Sequence, residues 1–312
     1  MSKHLLNRRQ FSARWAALGL SLPAASAMIA DQAGAQVPVT GADSKPEPRT
    51  VTFPNGTTVP AVGQGSWHLA SGRHPASVEE EAMRTGIALG MTLIDTSDNY
   101  ADGRSERLIG RVIAGQRDRV FLVSKVQEDA VFKNEIAARC EDSLRRLNTD
   151  YLDLYLLHTP VKPQFLSKYL STAVTSFEKL RAAGKIRAWG VSNFNVDHME
   201  ALLRVPGGDQ CQTNEVSYSL IHRRNELDVL PWCEQHKMPV ISYSPLGGID
   251  NNLVGDPRLT PIAAMHGVST SAVALGWNIR GGNVIAIPES GDPEHVNENA
   301  VALSIRWIPA SI

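Results

Sequence analysis

Two hydrophobic periods alternate along this chain. Short runs of apolar and β-branched residues predict strands, and the stretches between them place apolar residues three or four positions apart, which predicts amphipathic helices. From Arg49 onward the predicted strands span 62–65, 92–95, 120–125, 152–158, 186–192, 212–216, 240–244 and 284–288. The predicted helices lie near 77–89, 105–113, 135–147, 171–183, 196–203, 226–236, 261–266, 270–279 and 293–303.

Each of the eight predicted strands is followed by a helix, and this order predicts a parallel sheet. Eight such units in about 250 residues fit an α/β fold of the closed (β/α)₈ TIM barrel type. The alternative is an open doubly wound sheet, which normally carries a glycine-rich phosphate loop after its first strand, and Gly63-Gln64-Gly65 does not continue into one. Before the first strand, Asn55-Gly56 separates two short β-branched runs and predicts an N-terminal β-hairpin.

The first 35 residues differ in kind from the barrel sequence. Arg8-Arg9 precede Phe11, and the stretch 15–30 is apolar, rich in alanine and free of charge. This arrangement resembles a twin-arginine export signal, so we expect a periplasmic protein that meets the export machinery through its leader at 1–35. The apolar run is too short and too mild for stable membrane insertion. Arg14 leaves open an uncleaved amphipathic tail on a cytoplasmic protein.

Residues 36–48 are rich in proline and polar residues and are interpreted as a linker to a barrel domain at 49–312. The 312-residue chain has a net charge of −1, so neither nucleic acid nor an anionic membrane is expected as a partner. Cys140, Cys211 and Cys233 lack metal-ligand spacing and are interpreted as reduced packing residues. We expect a monomer.

Polar residues end the predicted strands, and in a barrel these ends meet at one face. The residues concerned are Asp95 with Tyr100, Lys125, His158, Ser192-Asn193, Asn214-Glu215, Tyr243-Ser244 and Glu289-Ser290. Each has a structural alternative, such as an ion pair for Asp95 and Lys125, a core position for His158, or a helix cap for Ser192-Asn193. Their concurrence at successive strand ends favours an active site.

These residue types suit the reduction of a carbonyl group by a bound hydride donor. Tyrosine has a pKa near 10, and the Lys125 ammonium is expected to lower that of Tyr100 while Asp95 holds the ammonium in place. His158 would orient a carbonyl oxygen that Tyr100 protonates. A barrel hydrolase would need an activated nucleophile or a metal cluster, and neither pattern is present. An aldolase-like Schiff base on Lys125 is disfavoured because Asp95 is expected to pair with that lysine.

Six segments together resemble the motif series of the aldo-keto reductases and occur in the family's order. They are DTSDNYADGRSE, VSKV, LDLYLLH, GKIRAWGVSNF, ISYSPL and IPES, within a resemblance that spans about Val51 to Leu303. The resemblance implies a (β/α)₈ barrel that binds NADP(H) or NAD(H) without a Rossmann domain. It also implies a catalytic tetrad of Asp95, Tyr100, Lys125 and His158, with Tyr100 as the proton donor.

The resemblance further assigns cofactor and substrate positions, and implies no metal. Ser192, Asn193 and Glu215 match the positions around the nicotinamide carboxamide, and Tyr243 matches the aromatic residue that stacks on the ring. The positions along the pyrophosphate and adenosine are matched by Ser244, Leu246, Ser290, His295, Glu298 and Asn299. Trp67 and His158 are expected to contact the substrate. The stretch 225–246 resembles the bacterial branch that includes methylglyoxal reductases, which implies small aldehydes and 2-oxoaldehydes as substrates.

Glu215 departs from the family, which usually has glutamine at this position. A carboxylate only accepts hydrogen bonds, whereas an amide both donates and accepts. An ionised Glu215 beside the ring would also favour the positively charged, oxidised nicotinamide. The sequence therefore predicts weaker binding of the reduced cofactor relative to the oxidised one.

Glu289 and His295 form a second departure, because the family commonly has lysine and arginine at these positions. Loss of two cations weakens a site for the 2′-phosphate of NADP(H), and glutamate is a natural partner for a free ribose hydroxyl. We therefore expect relaxed or NAD-leaning specificity. The alternative is that Glu289 points to solvent while another cation binds the phosphate.

The end of the chain is a third departure from the family. Its members usually continue past the eighth helix with a further helix and a loop over the pocket, whereas this sequence ends at Ile312, which predicts a wider pocket. These departures leave a second functional hypothesis open, a nicotinamide-nucleotide-binding sensor or inactive barrel without useful turnover. The intact tetrad favours the enzyme.

Overall fold

The computed structural model describes residues 48–248 and 252–305. The predicted leader and most of the predicted linker therefore lie outside the described residues. Strands β1 to β9 span Thr50–Thr52, Thr58–Pro60, Leu93–Asp95, Phe121–Val126, Leu152–Leu157, Ile186–Ser192, Asn214–Ser217, Val240–Tyr243 and Val284–Ala286. Helices α1 to α10 span Ala76–Ala88, Arg104–Ile113, Glu128–Phe132, Ile136–Leu147, Pro163–Ala182, Val196–Leu203, Val229–Gln235, Thr260–His266, Thr270–Asn278 and Pro293–Ala300.

Seven parallel strands, β3 to β9, lie side by side in the order of the sequence. The segment after β2 joins the two ends of this sheet, since Val62 bridges Ala286 on β9 and Gln64 bridges Ile94 on β3, both in parallel. Gly63 makes this approach possible, because a Cβ there would lie 2.7 Å from the Leu93 carbonyl oxygen. The predicted first strand is thus present as two single bridges, and the predicted (β/α)₈ barrel is confirmed.

Side chains alternate along each strand between the barrel interior and the surrounding helices. Leu93, Val123, Leu156 and Ile241 belong to one buried cluster with the hairpin residues, while their chain neighbours such as Ile94 belong to a second cluster with the helices. Residues two positions further along the inward-facing rows emerge at the carboxyl ends of the strands. This alternation brings the polar residues that end β3 and β4, and the histidine that follows β5, to one face.

The predicted N-terminal hairpin is confirmed and covers the opposite end of the barrel. β1 and β2 pair antiparallel, with Val51 opposite Val59, and Gly56 in the turn has a left-handed φ of 87°. The Phe53 ring stacks on that of Phe121 at the start of β4, with ring centres 5.4 Å apart. An apolar plug at this end leaves the carboxyl ends of the strands as the open face.

Three helical predictions are corrected by the structure. Helix α5 begins at Pro163 rather than near 171, because proline is well suited to the first turn of a helix. The short helix α3 was not predicted. The predicted helix 226–236 is divided at Asp228, whose φ of −148° is not helical and whose carboxylate accepts from the Val229 N–H.

The three cysteines are buried and unpaired, which confirms their interpretation as packing residues. Within the ranges that the structure describes, no helix is long and apolar enough to cross a membrane.

Candidate active site

A buried ion pair forms the base of the site at the carboxyl ends of β3 and β4. The Lys125 side chain is completely buried, and its Nζ donates to Asp95 Oδ1 at 2.5 Å and to the Thr96 carbonyl oxygen at 3.1 Å. Glu215 Oε1 on β7 lies 3.4 Å from the same nitrogen. The predicted pairing of Asp95 with Lys125 is therefore present, and Glu215 joins it as a second acid.

Tyr100 lies above this pair in the loop that follows β3. The two residues after it have left-handed φ values, 47° at Ala101 and 55° at Asp102, so the chain turns sharply there before α2. The Lys125 Nζ lies 5.3 Å from the centre of the tyrosine ring. The ring of His158, just beyond β5, meets the tyrosine ring edge-on with centres 6.0 Å apart. The four predicted tetrad residues are thus brought together.

The electrostatic effect on Tyr100 differs from the prediction. Burial raises the pKa of Tyr100 well above its usual value, and although the Lys125 ammonium lowers that pKa, Asp95 and Glu215 raise it further. Burial also disfavours the Lys125 ammonium, but Asp95 and Glu215 outweigh this and raise the pKa of Lys125. Phenol and ammonium therefore both keep their protons at neutral pH, as a proton donor and its support require.

His158 is a neutral imidazole in this site. Burial, together with the nearby Lys125 ammonium, lowers the pKa of His158 to about 3. The Gln127 amide donates to Nδ1 at 2.5 Å, and the Ser97 hydroxyl lies 3.2 Å from the same nitrogen. Because Nδ1 accepts, the ring proton is on Nε2, the nitrogen left to donate to a substrate oxygen.

A cleft of about 750 Å³ opens above the tetrad. Most predicted site residues line it, namely Trp67, Asp95, Tyr100, His158, Ser192, Asn193, Glu215, Tyr243, Ser244, Leu246 and His295. Lys125 lies behind the lining as the buried support. Ser290, Glu298 and Asn299 do not line the cleft, so their cofactor roles stay predictions.

A polar network joins the predicted carboxamide positions. Asn193 has a left-handed φ of 63°, and its Nδ2 donates to the His158 carbonyl oxygen at 3.1 Å and to Ser192 Oγ at 3.0 Å. The Tyr243 hydroxyl donates to Asn193 Oδ1 at 2.9 Å, and the Ser192 hydroxyl donates to the Glu215 carbonyl oxygen at 3.1 Å. These bonds fix the wall of the cleft between β6 and β8.

Glu289 does not point to solvent. One of its carboxylate oxygens accepts from the His68 backbone N–H at 2.9 Å, and the other lies 3.1 Å from His68 Nδ1. Ser290 is occupied by its own turn, since its hydroxyl accepts from the Asp292 N–H at 3.0 Å. The loop after β9 is therefore bonded to the loop that follows the bridged segment 62–65, across one end of the cleft.

Sequence reasoning missed several lining or supporting residues, among them Ser97, Gln127, His68 and Arg73. Gln127 and Ser97 each lie two positions beyond a predicted tetrad residue, so the period of two along a strand was the signal for them. His68 and Arg73 lie in the loop after the bridged segment 62–65, which also contains the predicted substrate residue Trp67. Arg73 is the single arginine or lysine in the described lining of the cleft.

Comparison with known proteins agrees with this geometry. The profile of the aldo/keto reductase family matches residues 61–311. The chain belongs to the aldo/keto reductase family. It is 43% identical over 267 residues to methylglyoxal reductase YeaE of Escherichia coli, with 85% of this chain and 92% of the relative covered. Glyoxal reductase of Bacillus subtilis is 32% identical over 252 residues, with 80% of this chain and 86% of the relative covered.

Solved structures give the same assignment. A crystal structure of an aldo/keto reductase from Klebsiella pneumoniae, in complex with NADP and acetate, has a TM-score of 0.78 at 42% identity and covers 85% of this chain and 93% of that one. A second Klebsiella pneumoniae structure, in complex with NADPH, has a TM-score of 0.79 at the same identity and covers 84% of this chain and 92% of that one. This aldo/keto reductase is a nicotinamide-dependent oxidoreductase that reduces carbonyl groups.

The buried pair makes a prediction about stability. Lys125→Met should lower the free energy of unfolding by about 3–5 kcal/mol, because removing one partner leaves a buried carboxylate without its cation. The loss should shrink as the pH falls, since Asp95 can then be protonated instead of paired. Arg181→Met is the matched control, because its bond to Glu178 is half exposed and is expected to contribute less than about 1 kcal/mol. Urea unfolding of both variants gives the comparison, and equal losses would contradict this account of the pair.

Proposed function

We propose that this aldo/keto reductase reduces small aldehydes to alcohols, with 2-oxoaldehydes such as methylglyoxal among its substrates. The observation that carries the proposal is the convergence of a protonated Tyr100 and a neutral His158 on the cleft, with the Lys125–Asp95 pair behind the phenol. Relatives named methylglyoxal reductase and glyoxal reductase, 43% and 32% identical, support this substrate class.

The residues present fit a nicotinamide nucleotide. The Tyr243 ring and Leu246 supply apolar lining on one side, while the Asn193 amide, the Ser192 hydroxyl and the Glu215 carboxyl offer polar partners for a carboxamide. Such a group supplies a hydride when it is bound. The two Klebsiella pneumoniae structures that contain NADP or NADPH support a cofactor of this kind in the same fold.

Residues of the chain bind and protonate the carbonyl oxygen of the substrate. The His158 Nε2–H and the Tyr100 hydroxyl are the two donors that face it, and they place it in the cleft. As negative charge develops on that oxygen, the Tyr100 proton moves to it and leaves a phenolate. The Lys125 ammonium stabilises the phenolate, and Asp95 keeps the ammonium in position. His158 stays neutral throughout, because its pKa is about 3. Its imidazole donates a hydrogen bond without giving up its proton.

Removal of the phenol tests this assignment. Tyr100→Phe should lower kcat for methylglyoxal reduction by about 10²–10⁴-fold, the range expected for loss of a general acid, while the Kd for NADPH stays unchanged. Steady-state kinetics and a fluorescence titration measure the two quantities. Tyr151→Phe is the matched control, since that ring lies between the Arg117 and Arg187 guanidinium groups and outside the cleft. If the wild-type protein binds NADPH but none of the aldehydes tested causes its oxidation, the sensor hypothesis replaces the enzyme hypothesis.

Relaxed cofactor specificity is a second part of the proposal. Glu289 places a carboxylate where the family commonly has a lysine, and its bonds to His68 hold it there. Arg73 lines the same cleft and offsets part of the missing positive charge. We therefore expect NADH and NADPH to be used with comparable efficiency, with a lean toward NADH.

Glu289→Lys should raise the ratio of kcat/KM for NADPH over NADH by about tenfold or more, since a cation gains a charge-assisted bond to the 2′-phosphate. Glu289→Gln separates this gain from the loss of the His68 contact. Glu294→Lys changes the net charge equally at an exposed position outside the cleft and should leave the ratio nearly unchanged. A wild-type enzyme that already prefers NADPH strongly would refute relaxed specificity.

Export to the periplasm is the third part of the proposal, and its basis is the pair Arg8-Arg9 before an apolar stretch. A folded protein carried by this route can keep its cofactor. Replacing both arginines with lysine should abolish periplasmic accumulation in a bacterial host that has the twin-arginine pathway, whereas Arg14→Lys should not. Fractionation with immunodetection measures this, and an intact N-terminus confined to the cytoplasm in wild type would exclude export.

A further inference from the structure

Two carboxyl groups share one ammonium at the base of the cleft. Lys125 Nζ lies 2.5 Å from Asp95 Oδ1 and 3.4 Å from Glu215 Oε1, and no side chain of the three is more than 3% exposed. The titratable groups that face Glu215 are Asp95 on β3, Tyr100 in the following loop, Lys125 on β4 and Tyr243 on β8. Lys125 is the one cation among them. Two ionised acids here would leave a buried negative charge without a partner.

In each acid, the carboxyl oxygen that does not contact Lys125 also lacks a hydrogen-bond donor in the described part of the chain. Asp95 Oδ2 and Glu215 Oε2 are buried and have no hydrogen-bond partner among the described residues. Both carboxyl groups contact the same Lys125 nitrogen, so they are close neighbours at the base of the cleft. Two carboxylates cannot bond to each other, because neither has a proton to donate. A single proton held by one of them supplies the missing donor.

The distances indicate which acid holds that proton. Asp95 is 0.9 Å closer to the ammonium than Glu215 (3.4 Å against 2.5 Å), so a negative charge is more stable on Asp95. We propose that Asp95 and Glu215 share one proton at neutral pH, that Glu215 holds it, and that Glu215 presents a neutral carboxyl to the nicotinamide carboxamide. The last clause rests on the proposed function, whereas the first two concern the protein alone.

Burial, and then the Asp95 carboxylate, raise the pKa of Glu215 well above its usual value. This shift agrees with the protonated Glu215 that the distances indicate. A neutral Glu215 resembles the glutamine that the family usually has, because its carbonyl oxygen accepts from the carboxamide without adding charge beside the ring. The departure at this position is then conservative in charge. It removes the reason, drawn from an ionised Glu215, to expect that the oxidised cofactor binds more tightly.

Infrared difference spectroscopy of the cofactor-free protein tests the shared proton directly, since a protonated carboxyl has a carbonyl stretch that a carboxylate lacks. The comparison is wild type against Glu215→Gln. A pH of about 8 is suitable, because burial raises the pKa of a neighbouring acid, Asp98, to about 6. At pH 8 Asp98 is ionised and does not contribute a protonated-carboxyl band. We expect one protonated-carboxyl band in wild type that disappears in Glu215→Gln.

Glu106→Gln is the matched control for this band. Glu106 is a fully buried glutamate, but Ser124 and Arg146 donate to its two oxygens at 2.7 and 2.5 Å, so it has its own cation. The band should survive this substitution. Absence from the wild-type spectrum of any band that Glu215→Gln removes would overturn the proposal, whether or not the protein catalyses carbonyl reduction. A band in a protein without turnover would instead refute the proposed function and leave the shared proton standing.

Cofactor binding gives a second readout. At about pH 7 the ratio of the Kd values for NADP⁺ and NADPH should agree within about twofold between wild type and Glu215→Gln, because both side chains are neutral. A wild-type ratio that favours NADP⁺ by about tenfold over the variant would correspond to an ionised Glu215 beside the ring and would overturn the proposal.

Discussion

Lys125 is completely buried, and its ammonium has to be neutralised inside the barrel. Asp95 provides that neutralisation at 2.5 Å, and the arrangement of the site depends on it. The pair fixes the ends of β3 and β4 relative to each other and supports the Tyr100 ring from below. Burial, helped by the Lys125 ammonium, lowers the pKa of His158 so that the imidazole stays neutral. A proton donor, its stabilising cation and a neutral hydrogen-bond donor therefore lie together around one buried ion pair.

Much of this site could be predicted from the sequence because a parallel barrel brings the carboxyl ends of its strands to one face. Asp95, Lys125 and His158 are predicted for that reason. Gln127 could have been predicted as well, because it lies two positions beyond Lys125 and side chains along a strand repeat their direction every two residues. The direction of the Tyr100 pKa shift could not be predicted, since burial has to be weighed against a lysine and two acids at known distances. The bond between His68 and Glu289 joins loops 221 positions apart, and no local pattern indicates it.

The two acidic departures from the family are each accommodated by a local partner. Glu215 meets Lys125 and Asp95 at the base of the cleft, where a shared proton removes its charge. Glu289 meets His68 at the outer end, where its carboxylate accepts from a backbone N–H and faces the imidazole. On the proposed function, the first arrangement would preserve the environment of the nicotinamide, whereas the second would change the charge near the adenosine. We therefore propose that reaction chemistry and cofactor choice depend on separate parts of one cleft.

The most direct test of the enzyme is a fluorescence titration of the purified protein without residues 1–35, first with NADPH or NADH and then with methylglyoxal. The account predicts saturable binding of both nucleotides, followed by oxidation of the bound nucleotide once the aldehyde is added. Binding that persists without oxidation over a panel of small aldehydes would contradict the assignment of Tyr100, Lys125 and His158 as working catalytic residues.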